Sequence, residues 1–140
     1  MTENKSKNHS CRTYFKIVGN FDVQSVVNVL DVKTDKVVNR GEVLELSRRI
    51  ADCDTIEIGY NDSYNVDINE MLRVTVEPLK NKIAVLTELK KKYRLEYYLV
   101  AVPEIAVDAD EPTPILSLDE DIIEFLYLTK TAHDLDYYIY

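Results

Sequence analysis

Glycine is scarce in this 140-residue chain, with three in all and no two of them close together. A phosphate-cradling loop needs several glycines at fixed spacing, so nucleotide binding of that kind is excluded. Tryptophan is absent, and cysteine and histidine occur twice each. Cys11 and Cys53 stand far apart, and no Cys-x-x-Cys or His-x-x-x-His spacing exists for a zinc site. His133, Asp134 and Asp136 lie close in sequence, but Asp134 and Asp136, carboxylates on alternate strand positions, read as solvent-facing. Asn61, Ser63, Asn65 and Asp67 have the spacing of a calcium loop, yet Val66 stands where that loop needs glycine and Leu72 where it needs a bidentate Glu. No metal and no cofactor is expected.

Long apolar runs are missing too. No window approaches the roughly 18 consecutive apolar residues of a membrane helix. Met1 to Ser10 is polar, carries Lys5, Lys7 and His9, and has no apolar segment behind it, unlike a signal peptide. The expectation is a cytoplasmic protein with no membrane partner and two free thiols. Basic residues are outnumbered 17 to 25, giving a net charge of −8 that repels phosphate backbones and disfavours nucleic acid. The densest basic run, Lys90-Lys91-Lys92 with Arg94, falls at a predicted helix end, where cations complement the helix dipole. Neither cysteine nor any serine lies in a nucleophile motif, and a Cys11–His9 pair would require a predicted tail to fold back. The chain reads as a non-enzyme.

What is present is an ordinary globular balance, 46% hydrophobic and 30% charged, in a chain long enough for one domain with its own core. Residues 1–12 read as a flexible tail and 13–140 as a single α+β domain. Thr13 to Val18 alternates as a half-buried strand, with Phe15 and Ile17 on one face. Asp22 is placed to cap a helix with Val23, Val26, Val27 and Leu30 on one stripe. A short strand around Val37 and Val38 ends at Gly41. Glu42 to Asp54 fits helix or strand equally well. Thr55 to Tyr60 alternates, with Ile56, Ile58 and Tyr60 sharing a face.

After a turn at Asn61–Asn65, Asp67 and Glu70 have capping-box spacing. Helical periodicity then runs from Ile68 to Tyr93, and Pro78 predicts a kink or break near Val74–Glu77. Glu96 to Val102 is apolar on both faces, as a central strand would be. Pro103 to Pro114 is a loop. Asp119 caps a helix presenting Ile122, Ile123, Phe125, Leu126 and Thr129, and a last strand buries Leu135, Tyr137 and Ile139. The order β-α-β-β-α(α)-β-α-β implies a mostly antiparallel sheet with helices packed on one face. Phe15, Ile17, Val26, Leu30, Leu86, Leu89, Leu99, Phe125, Leu126 and Ile139 are the expected core.

The opening Thr13-Tyr14-Phe15-Lys16-Ile17-Val18-Gly19-Asn20-Phe21-Asp22, the Glu77-Pro78-Leu79 segment before a charged helix, and the closing Asp134-Leu135-Asp136-Tyr137-Tyr138-Ile139-Tyr140 resemble the bacterial domain-of-unknown-function family 4279. The resemblance runs from Tyr14 to Tyr140 and departs near Thr55–Tyr60, where relatives often place a tryptophan. It implies a fold and no activity.

The compositional oddity is tyrosine, ten against three phenylalanines. Parity places Tyr14, Tyr98, Tyr138 and Tyr140 on the sheet face away from the helices, with Lys16 and Asp136 beside them. Tyrosine brings large contact area and a polar tip at low entropic cost, so these six are the candidate binding residues. The same rings would also serve simply to cover the second face of a sheet. The leading expectation is a protein-binding module, one concrete form being an immunity-type protein against a basic toxin; the alternative is a small-molecule-binding or regulatory domain acting as a homodimer joined through the sheet.

Overall fold

The computed structural model describes residues 8–64 and 67–140. Its elements run β1 (Ser10–Gly19), α1 (Val23–Leu30), β2 (Lys36–Val38), β3 (Asp54–Ser63), α2 (Ile68–Val76), a single 3₁₀ turn (Glu77–Leu79), α3 (Ile83–Tyr93), β4 (Glu96–Ile105), α4 (Glu120–Thr129), β5 (Ala132–Leu135) and β6 (Tyr138–Ile139). One mixed sheet has the strand order β2-β3-β1-β4-β5, with β6 also paired to β4. The first three pairings are antiparallel, and β5 and β6 lie parallel to β4. The fold is α+β in the expected order, except that the expected last strand is divided into β5 and β6.

Central β1 alternates cleanly: Cys11, Thr13, Phe15 and Ile17 are buried, and the residues between them are half-buried. It begins at Ser10, not Thr13, because β4 continues to Ile105 and pairs Ser10 with Glu104. The expected tail is therefore too long at its inner end. His9 is buried as well; its backbone N–H donates to Glu111 Oε1 at 2.8 Å, and its Nδ1 accepts from the Ala106 N–H at 3.1 Å. Residues 1–7 of the expected tail lie outside the described residues, as does Asn65 of the expected turn. Asn61 to Ser63 of that turn belong to β3, because β1 reaches far enough to pair with them.

All the helices pack on one sheet face. Phe15 sits at the centre, its ring 5.4 Å from Tyr97 and 6.0 Å, edge-on, from Phe125 of α4. Tyr97 donates its buried hydroxyl to the Leu86 carbonyl of α3 at 2.7 Å, so the one polar atom of that ring is satisfied. Thr13, buried on β1, donates to the Thr75 hydroxyl of α2 at 2.8 Å, with the Met71 carbonyl a second, longer acceptor at 3.3 Å. Caps follow the sequence closely. Asp67 accepts from the Glu70 N–H, and Asp119 from the Ile122 N–H. Asp22 stands at the N-cap of α1, but its carboxylate takes the Ser25 hydroxyl at 2.6 Å. Pro78 breaks the long helical stretch at the C-terminal end of the expected window. Val74 to Val76 stay helical, the 3₁₀ turn carries the proline, and α3 starts at Ile83.

Three expectations fail. Ile139 and Tyr137 are exposed, because α2 packs on β1, β3 and β4, and the terminal strand runs past that layer. Ile123 is exposed because it follows Ile122 by one residue, about 100° round the helix from the buried stripe. Tyr60 does not share a face with Ile58. A β-bulge sets Gly59 and Tyr60 against Tyr14 alone, with Gly59 at φ +70°, and the extra residue turns Tyr60 to the other side. The other nine expected core residues are buried or, for Leu126, packed against the core.

The ambiguous segment is a hairpin arm. Val43 bridges Ile50, Gly41 and Ala51 are tied by Gly41 N–H to Ala51 O and Ala51 N–H to Glu42 O (both 2.8 Å), and Arg48 turns the chain at φ +59°. Its base is pinned by Asp54, buried, whose two carboxylate oxygens accept from the Phe21 N–H (2.9 Å) and the Arg40 N–H (2.7 Å).

Candidate binding face

The sheet face opposite the helices is built by the even-numbered residues of β1 and β4 and the partners in register with them. Lys16 lies beside Tyr98 and Tyr14 beside Val100. Ala132 lies beside Tyr98, Asp134 beside Val100 and Tyr138 beside Glu104, an offset that holds from β5 into β6. The expected residues Tyr14, Lys16, Tyr98, Asp136, Tyr138 and Tyr140 therefore fall on one side. Parity carried this because no bulge interrupts β4, β5 or β6.

They form two groups. At the β3 side, Tyr14 stacks on Tyr60 with ring centroids 6.3 Å apart and planes 21° from parallel. Partial burial, then the nearby Glu57 carboxylate, push the Tyr14 hydroxyl above its ordinary pKa, with Arg12 opposing. It stays a neutral donor at physiological pH. At the β6 side, Tyr140 donates to Glu104 Oε1 at 3.3 Å and Tyr138 to Asp136 Oδ2 at 3.4 Å. Arg12 pairs with the same Glu104 at 3.7 Å. Tyr98 donates to Glu96 at 3.3 Å. Between the groups, Val100 and Val102 are buried although they point away from the helices. Their cross-strand neighbours are Tyr14 and Arg12, long side chains that lie over an apolar strip.

The backbone of the terminal strand is held in place. Asp136 N–H donates to Ala101 O and Tyr140 N–H to Ile105 O, while Tyr140 O accepts from the Val107 N–H. The side chains there remain open to solvent, with Tyr138 48% and Tyr140 65% exposed. The face offers aromatic area, three phenol donors paired to carboxylates (Tyr98, Tyr138 and Tyr140), and a surplus of acid (Glu57, Asp62, Glu96, Glu104, Asp134, Asp136) over base (Arg12, Lys16, Lys36). Among the described residues no group of three His, Cys, Asp or Glu side chains is arranged to hold a metal. His133 uses Nδ1 on the Leu99 carbonyl at 2.9 Å, on the helix side of the sheet.

Sequence reasoning missed Tyr60, Arg12 and Glu104. Tyr60 had a signal, since a lone glycine inside a strand pattern marks a bulge and so a change of face. Arg12 was lost to the supposed tail, and nothing local marks Glu104, which is recruited by pairing with Ser10.

No curated protein and no solved structure matches the chain. The family model described as domain of unknown function (DUF4279) matches residues 9–140. The chain belongs to that family.

Proposed function

We propose that the protein is a non-catalytic binding module of the cytoplasm that engages a basic protein partner through the open sheet face. The observation that carries this is the clustering of Tyr14, Tyr60, Tyr98, Tyr138 and Tyr140 on a face that no helix covers. Aromatic rings around an apolar strip supply contact energy. The net charge of −8 and the acid surplus speed encounter with a basic surface and select against acidic ones. An immunity-type protein that neutralises a basic toxin is one concrete form of this reading.

The test is affinity capture from the native host at low salt, comparing the wild type with a Tyr98→Ser/Tyr138→Ser double variant of equal stability. A protein recovered by the wild type and lost by the variant supports the reading. Equal recovery by both, or no protein from either, rejects the face as the binding surface.

A second reading, a ligand-binding or regulatory domain acting as a homodimer, draws support from a cleft of about 390 Å³ among α2, α3 and α4. Val76, Ile83, Ile122 and Phe125 supply its apolar lining, and Arg73, Lys80, Asp121 and Glu124 its polar one. A metabolite that fits it would raise the melting temperature in a thermal-shift screen, and Phe125 variants would lose that response.

A further inference from the structure

The hairpin arm at residues 39–53 is the strangest surface on the molecule. Leu46 at its tip is 99% exposed, and Val43 and Ile50, bridged across the arm, are also mostly in solvent. The opposite side of the arm is not: Leu44 and Ala51 line a shallow cavity with Lys16, Val38, Thr55 and Glu57 of the open sheet face. The arm thus stands as a rim at the β2–β3 end of that face, its base locked by the two backbone N–H groups that Asp54 accepts. An apolar tip on a fixed support is arranged to enter something, since ordering costs for the arm are already met.

Charge identifies what it enters. Arg48 and Arg49 sit beside Leu46, and neither guanidinium has a carboxylate partner among the described residues. A complement must be acidic and partly aromatic. The corner formed by Asp134, Asp136 and Tyr138 on β5 and β6 has that character, and Asp134 has no cation paired to it among the described residues. The arm cannot reach this corner in its own chain. In the order β2-β3-β1-β4-β5, the two lie at opposite edges, four strand spacings apart, or about 19 Å at about 4.8 Å each.

We infer that the arm of one copy docks on the Asp134–Tyr138 corner of a second copy, and that the second copy returns the same contact across a two-fold axis. A two-fold arrangement makes each contact twice and leaves no unpaired arm to propagate a fibre. Leu46 then lies against the tyrosines, and Arg48 and Arg49 meet Asp134 and Asp136. This rests on the open face being a binding surface. It adds that the chain carries its own ligand for that face, so a basic partner competes with the dimer.

The experiment measures mass by sedimentation on the purified full chain at low and high salt, with the wild type, two variants and the mixture of those two. The wild type should be a dimer that weakens with salt. Arg48→Glu/Arg49→Glu and Asp134→Arg/Asp136→Arg should each raise the dissociation constant by about tenfold or more, with an unchanged melting temperature. Mixing the two variants should restore dimer, because each contact then pairs a reversed arm with a reversed face or a native arm with a native face. A wild-type monomer at every concentration tested overturns the proposal, as does a dimer that either variant leaves intact or that mixing fails to restore. If a reversed variant does not fold, Arg48→Ser/Arg49→Ser and Asp134→Asn/Asp136→Asn replace the pair, and both must weaken the dimer. Because no host protein is present, a monomer here leaves capture of a foreign partner by the open face standing.

Discussion

The Thr75 hydroxyl donates to the Gly59 carbonyl at 2.7 Å, and a Cβ on Gly59 would lie 2.5 Å from the Thr75 carbonyl oxygen. Strand β3 and helix α2 touch backbone to backbone at this point. Gly59 is required twice over, by its φ of +70° and by the missing Cβ. Gly59→Ala should cost about 2–4 kcal/mol, from left-handed strain plus a clash that only backbone movement relieves. Urea unfolding measures it, and a loss under about 1 kcal/mol would mean the bulge relaxes freely.

That contact also shows where sequence reading stopped. Periodicity carried the order of elements, the caps at Asp67 and Asp119, the face of Tyr14, Tyr98, Tyr138 and Tyr140 and nearly all of the core, because each depends on spacing within one element. Tyr60, Ile139 and the arm depend on something else. Tyr60 changes face through a bulge defined by pairing with β1. Ile139 has the parity of a core residue, but burial also needs a helix above it. Val43, Leu44, Leu46 and Ile50 look like core in the sequence, and most of that apolar surface faces solvent. A pattern tells which way a side chain points, not whether anything is there.

Asp119 joins two helices. It caps α4, forms an ion pair with Arg73 of α2, and exchanges hydrogen bonds with the Asn69 amide of α2. Asp119→Ala should cost about 1–2 kcal/mol, mostly through the lost cap. Arg73→Ala should cost less, because Arg73 is half in solvent. If the two losses prove equal in denaturant titrations, the ion pair and not the cap holds α4.

Burial pushes the Cys11 thiol from an ordinary value near 9 up to about 11. The folded state favours the neutral thiol, so this contribution is fully present below pH 9 and lost as pH rises to about 11. Up to about 2–3 kcal/mol is at stake, at about 1.4 kcal/mol per unit. Cys11→Ala should show a shallower decline over that window than the wild type. Tyr97, raised in the same direction by burial, extends the loss above pH 10. A thiol reagent at neutral pH should modify the partly exposed Cys53 quickly and Cys11 only on unfolding. Two fast-reacting thiols would contradict the burial of Cys11.

Removing Tyr137 to Tyr140 deletes the β6 pairing and frees the Ile105 carbonyl and the Val107 N–H, but no fully buried side chain. The truncated chain should still fold, with a stability loss of about 1–3 kcal/mol from the unpaired backbone groups. Circular dichroism and thermal melting decide it. A chain that expresses only as aggregate would mean that β6 protects the sheet edge.

Strand β1 is made first and finished late. Its partners on the two sides are β3 and β4, and the β4 pairing extends to Glu104. On a ribosome, about 85 residues separate Gly19 from Glu104, or roughly 4–17 s of synthesis at about 5–20 residues per second. Throughout that interval a ten-residue strand carrying Phe15 and Ile17 has at most one edge occupied. The nascent chain, more than the finished protein, is therefore the state most in need of a chaperone, and slow codons between β3 and β4 would lengthen that exposure.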